Sequence, residues 1–188
     1  MVHRRDGSKW EHHFLRCALI ASEMSKDPRT RVGALITTRD GVPVSDGFNG
    51  FPRGIADTPE RLLDRKIKNV LMVHAEMNAI INAARLGAST IGTILYIACN
   101  DDTGEVWGGA PCASECIKHI LQAGFLKVVC YPAKTPSTWS CEIAQSIKLM
   151  DEAELPLIVI NKPTGLTHFR PRHYDNNDST SVSIPITG

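Results

Sequence analysis

Lys127-Val128-Val129-Cys130-Tyr131 and Leu157-Ile158-Val159-Ile160 decide the fold class, together with the segment from Trp139 to Ala153 between them. The outer runs are short, apolar and β-branched, and the segment between them can form a helix. That is a strand–helix–strand unit. The connection is too long for a hairpin, so the two strands are expected to run parallel through a right-handed crossover. A parallel pair requires helices on the sheet faces, which makes the chain α/β.

Working outward, residues from Cys112 to Ala123 read as a helix ended by Gly124, and Thr93 to Ala98 as a further strand. Residues 99–110 are polar and contain glycine, and read as a loop. Met77, Ile80, Ile81 and Ala84 mark a buried helix from about Ala75 to Leu86, stopped at Gly87. Val32 to Thr38 and Val42 to Phe48 form a hairpin around Arg39-Asp40-Gly41. Trp10, Phe14, Cys17, Ala18, Ala21 and Met24 recur at helical spacing, so residues from about 8 to 25 form an amphipathic helix, ended by Asp27-Pro28, with Trp10 and Phe14 in the core. Thr58 and Pro59 start a short, charged, superficial helix reaching about Lys68. The expectation is one domain over residues 1–160, a three-layer arrangement with a mixed five-stranded sheet, helices on both faces and the last two strands parallel. Residues 161–188 are rich in Pro, Asn, Asp, Ser and Thr. They read as an extended tail packing on the domain or on a neighbouring subunit.

The chain has 188 residues, 43% hydrophobic and 22% charged, which suits a single packed domain. Its 21 basic and 20 acidic residues leave a net charge of +1. A protein that tracks polymeric nucleic acid shows a basic excess, so that class is not expected. No run approaches the roughly 20 apolar residues of a membrane span. The N-terminus, MVHRRDGSKWEHH, lacks an apolar signal core, and six cysteines without one suggest a reducing, cytoplasmic setting. There, paired cysteines are more often metal ligands or catalysts than disulfides. Cys17 and Cys130 fall in regular elements and read as core.

Chemistry concentrates in two segments, His74-Ala75-Glu76 and Pro111-Cys112-Ala113-Ser114-Glu115-Cys116. Each opens a helix after a loop at one end of the sheet. One imidazole and two thiolates make a three-ligand zinc site with an open fourth position, the catalytic arrangement. Cys112 and Cys116 are four apart and are expected on one helical face, with the helix N-termini favouring their thiolates. Glu76, two residues past the histidine, can stand beside the metal without binding it and move protons. The order H-x-E followed by P-C and a second Cys is the pattern of zinc nucleobase deaminases.

These motifs resemble the cytidine/deoxycytidylate deaminase superfamily, and most of all its deoxycytidylate (dCMP) branch. Three further segments carry the likeness: Ser25-Lys26-Asp27-Pro28 with Val32-Gly33-Ala34, the loop Gly47-Phe48-Asn49-Gly50-Phe51-Pro52-Arg53-Gly54, and HAEMNAI at 74–80. The similarity spans roughly residues 10–160. It implies a cytidine-deaminase-like fold and zinc-dependent hydrolytic deamination of a cytosine ring, with zinc on His74, Cys112 and Cys116 and Glu76 as proton carrier. It further implies that Asn49, the backbone N–H of Ala75, and Ala110 hold base and sugar. Asn49 can equally serve as a turn residue before Gly50. Lys26, Arg29, Arg31 and Arg53, with the Ser25 hydroxyl, sit in the two loops expected to flank the pocket, where a monophosphate needs cations. Each can also be an ordinary surface charge. Arg85 is read as reaching a neighbouring subunit or a regulatory nucleotide site. The resemblance also implies a homo-oligomer, a hexamer favoured, and dCTP or dTTP as effectors.

Two features depart from that pattern. Three residues separate the zinc cysteines where two are usual, so the helix start must adjust or its first turn bulge. Residues 99–110 intervene at the rim of the site, where Trp107 is read as a lid or as packing. Competing readings are a deaminase of another cytosine compound (a nucleoside, free base, dCTP or 5-substituted dCMP), a tRNA- or single-strand-editing deaminase, and an inactive zinc-binding scaffold.

Overall fold

The strand–helix–strand unit is present in the computed structural model, which describes residues 1–134, 140–166, 168 and 169. The elements run β1 (Val2–Arg5), α1 (Lys9–Ser22), β2 (Thr30–Thr37), β3 (Pro43–Phe48), α2 (Pro59–Leu63), α3 (Arg65–Leu71), α4 (Ala75–Arg85), β4 (Ile94–Asp101), β5 (Val106–Trp107), α5 (Cys116–Gln122), β6 (Lys127–Cys130), α6 (Ser140–Glu152) and β7 (Leu157–Ile160). Trp139, expected to begin α6, lies outside the described residues. The last two strands pair in parallel, Val128 opposite Leu157 and Cys130 opposite Val159. β4 and β6 are parallel too.

The sheet has seven strands, not five, in the order β1-β7-β6-β4-β2-β3, with β5 on β4. Both additions are invisible to hydrophobic patterning. β1 carries Val2-His3-Arg4-Arg5, all exposed, and adds to the edge of β7 through its backbone, Val2 opposite Leu157. β5 is two residues long and lies inside the segment read as loop. It pairs with Cys99 and Asn100, beyond the part of β4 that β6 covers.

Alternation along β4 divides the core into two layers. Leu95 and Ile97 face α4, α5 and α6, packing with Ala79, Ile117, Ile120, Val128 and Met150. Ile94, Tyr96 and Ala98 face α1, packing with Phe14, Leu15, Leu19, Val129 and Tyr131. α1 starts in a capping box: Ser8 Oγ accepts the Glu11 N–H at 3.2 Å, and Glu11 Oε2 accepts the Ser8 N–H at 3.0 Å. Phe14 is core as expected, whereas Trp10 is 66% exposed, stacking on Phe14 at 5.8 Å from outside.

The backbone of β2 lies against α1 at Gly33. A Cβ there would fall 1.8 Å from the carbonyl oxygen of Ala18. Both atoms belong to backbone, so neither can yield without moving α1 off the sheet. Gly33→Ala is therefore expected to cost about 3 kcal/mol or more. A denaturant midpoint unchanged from native would contradict this packing.

The single superficial helix expected to reach Lys68 is two helices. Asp64 breaks them and caps the second, accepting the N–H of Lys66 at 2.8 Å and of Ile67 at 3.2 Å. The start of the tail reaches back over the 99–110 segment. Phe169 N–H donates to Gly104 O at 2.6 Å, Lys162 Nζ to Val106 O at 2.9 Å, and Leu166 and Phe169 pack on the α1 layer. Residues 170–188 lie outside the described residues.

Candidate metal centre and cleft

His74 has extended backbone (φ −71°, ψ 155°) and caps α4, which leaves Ala75 and Glu76 in its first turn. The Asn78 side chain donates to Phe48 O at 2.8 Å, tying this helix start to the end of β3. The second motif corrects one expectation. Cys112 and Cys116 do not share a helical face, because α5 begins at Cys116 and residues 113–115 form a turn. The turn is wide: Ile117 N–H donates to the carbonyl of Cys112, five residues back, at 3.1 Å. This absorbs the extra residue between the cysteines and still returns both sulfurs to one place.

His74 Nδ1 lies 3.2 Å from Cys116 Sγ and 3.4 Å from Cys112 Sγ, and the three donor atoms are all within 4.8 Å of one another. Neighbouring corners of a tetrahedron with zinc–nitrogen and zinc–sulfur bonds of about 2.0 and 2.3 Å are about 3.5 Å apart. The donor set and its spacing therefore fit zinc. Among the described residues no other group of three such donors converges. Cys141 is exposed and Cys99 buried.

The electrostatics follow from this crowding. Cys116 and His74 both hydrogen-bond to the Cys112 sulfur, which holds its pKa down to about 3. The same contact raises His74 to about 9, and Cys116 is pushed up as the donor of the pair and by burial. A divalent cation binds such a set after its ligands have lost their protons. Glu76 is 6% exposed and is not one of the three converging donors, but its carboxyl lies against Cys116, and burial pushes it up from the ordinary value.

A cleft of about 570 Å³ opens beside this centre. Its walls include His74, Ala75, Glu76, Cys112, Asn49 and Ala110, and on its rim Arg29 and Trp107. Cys116 is buried behind it. Asn49 both lines the cleft and anchors its own loop. Its Oδ1 accepts the Val32 N–H at 2.8 Å and its Nδ2 donates to Thr30 O at 2.9 Å, fastening the loop to β2, while the residue lines the cleft.

Other nominated residues are not in the walls. Lys26 turns to Asp57 at 3.1 Å and Arg53 to Asn82 at 2.6 Å, both on the exposed surface. Ser25 is buried, its Oγ accepting the Asp27 N–H at 3.3 Å. Arg31 does not line the cleft, and Arg85 is exposed at the far end of α4. The sequence reading missed Arg65, Lys68 and Asn69 of α3, which do line it. The helix buries no residue, so its short apolar row Ile67, Val70 and Leu71 does not point to a cleft wall.

The family model for the cytidine and deoxycytidylate deaminase zinc-binding region matches residues 8–132. An uncharacterised deaminase of Aliivibrio fischeri is 36% identical over 149 residues, 78% of this chain and 90% of its own length. The deoxycytidylate deaminase of Homo sapiens is 35% identical over 133 residues, 67% of this chain and 66% of its own length. The chain thus spans about two thirds of that relative. The solved dCMP deaminase of the cyanophage S-TIM5, in complex with dCMP and dUMP, superposes with a TM-score of 0.62 at 22% identity, over 83% of this chain and 100% of that one, a likeness of fold.

Proposed function

The chain belongs to the cytidine and deoxycytidylate deaminase zinc-binding family, and on that premise we propose that it hydrolyses dCMP to dUMP and ammonia. One observation carries the reading: three soft donors converge beside a buried carboxyl that is not one of them, at the end of a cleft. When held by His74, Cys112 and Cys116, zinc supplies Lewis-acid activation of water at neutral pH. Glu76 does the proton work. Its carboxyl accepts one proton from the water and delivers it to ring N3 as the water oxygen adds to C4; it then takes the second proton from that oxygen and gives it to the exocyclic amine, which leaves as ammonia while the C4 carbonyl forms. In this reading the backbone N–H of Ala75 and the second N–H of the Asn49 amide, whose oxygen and first N–H already bond to β2, hold the base and sugar.

The phosphate in this reading rests on the cations of the cleft and on the named activity of the mammalian relatives. Charge-assisted hydrogen bonds contribute roughly 1.5–3 kcal/mol each. Two such contacts give some two to four decades in kcat/KM. dCMP is therefore expected to exceed deoxycytidine by at least about a hundredfold. The test is a panel of cytosine, cytidine, CMP, deoxycytidine, dCMP, dCTP and 5-substituted dCMP, assayed with and without dCTP and dTTP. Equal rates on deoxycytidine and dCMP would make the protein a nucleoside deaminase.

The same reading takes residues 1–160 as the deaminase domain and 161–188 as its tail, with a cytoplasmic setting. Among the described residues no helix is long and apolar enough to cross a membrane. It also takes the protein as a homo-oligomer, a hexamer favoured, with dCTP or dTTP as effectors. In support, Trp10 and Ile20 on α1 and Met24 just beyond it expose large apolar side chains.

A further inference from the structure

Two walls of the cleft, the loop 25–31 and helix α3, are tied by a nearly buried ion pair. Lys68 Nζ lies 2.8 Å from Asp27 Oδ2 and 3.1 Å from Oδ1, with the side chains 13% and 6% exposed. Asp27 Oδ1 also accepts the backbone N–H groups of Arg29, at 2.9 Å, and Thr30, at 3.2 Å. The carboxylate is thus neutralised by Lys68, and the contacts that neutralise it set where Arg29 leaves the loop. Lys134, a third cation on the rim, is held by Asp101 at 3.0 Å and by Glu105. Arg29 and Arg65 line the cleft with no carboxylate partner among the described residues.

The acidic groups lie elsewhere in the cleft. Glu142, which accepts from Ser114 Oγ at 2.7 Å, and Glu115, which precedes Cys116, line it too. Among the described residues, Arg29 and Arg65 therefore carry positive charge without a carboxylate partner on the two walls that the Lys68–Asp27 pair ties together. A molecule with a neutral base and one anionic group is then oriented with its base toward Glu76 and its anion toward the two arginines.

We propose that α3 reads the substrate's phosphate, with Arg65 as a specificity-determining residue alongside Arg29, and Lys68 and Asp27 as positioning residues that hold the two walls together. The inference rests on the dCMP reading and adds which wall recognises the phosphate. A guanidinium matches two phosphate oxygens at once, which a point-charge ammonium does not. Lys26 and Arg53 are committed to Asp57 and Asn82.

The test uses the zinc-loaded full chain. The ratio of kcat/KM for dCMP over deoxycytidine is measured for the native protein and for Arg65→Ala, Arg65→Lys, Lys68→Met, Lys68→Arg, Lys26→Ala and Arg53→Ala. Binding of dUMP and deoxyuridine is followed by calorimetry. Arg65→Ala is expected to lower the ratio about ten- to a hundredfold and to weaken dUMP more than deoxyuridine. Arg65→Lys falls between it and native. Lys68→Met raises KM for dCMP more than it lowers kcat, and Lys68→Arg restores most of the loss. Lys26→Ala and Arg53→Ala keep the native ratio. Arg65 is exposed, so unchanged zinc content and Tm in Arg65→Ala separate recognition from misfolding. A native preference for dCMP that Arg65→Ala leaves intact overturns the role of α3 alone. A native enzyme indifferent to the phosphate overturns both this role and the dCMP reading.

Discussion

Glu76→Gln is expected to deaminate dCMP at least about four orders of magnitude more slowly than the native enzyme while keeping its zinc. A positioned acid–base group contributes about 10²–10⁴ in rate. In the proposed reaction one carboxyl performs successive transfers, so the upper end applies. Glutamine keeps the size and the hydrogen-bonding oxygen but cannot accept or release the proton. The metal should survive because the converging donors are His74, Cys112 and Cys116, and Glu76 is not among them. Metal analysis and single-turnover rates on the same sample decide the matter. Loss of zinc would make Glu76 a ligand, and retained turnover would remove it from the mechanism.

Cys116→Ala is expected to reduce zinc affinity by at least about a hundredfold and to abolish measurable deamination. Cys116 is completely buried and is the first residue of α5, and its backbone N–H also donates to Cys112 Sγ at 3.4 Å. Its removal leaves two donors, too few for a tight tetrahedral site. Metal binding favours the folded state by mass action, about 4 kcal/mol at a thousandfold excess over Kd. The native protein should therefore lose Tm on chelation and regain it with added Zn²⁺, and the variant should show no such shift. Equal zinc content in the variant and native proteins would refute the ligand assignment.

The chemistry was readable because its parts are local and typed. His74, Glu76, Cys112 and Cys116 each sit within a few residues of a helix start, and only imidazole and thiol side chains make that donor set. The strand–helix–strand unit was readable for a similar reason, since a buried parallel strand must be continuously apolar. The local inference that failed at the site, a shared helical face for Cys112 and Cys116, assumed an ideal first turn. The wide turn closed by Ile117 N–H replaces it.

By itself, then, the sequence determined the fold class, the order of the elements and the identity of the metal donors, because apolar periodicity and donor type are properties of short segments. Tertiary structure alone decided which backbones pair and where long side chains end. β1 is a strand only because β7 offers an open edge to it. Lys26 and Arg53 look like pocket cations until Asp57 and Asn82, distant in sequence, draw them away. Lys68, on a helix that buries no residue, becomes part of the cleft because Asp27, forty-one residues earlier, captures it. A flexible cation points wherever its partner stands, and no local pattern in the chain records that partner's position.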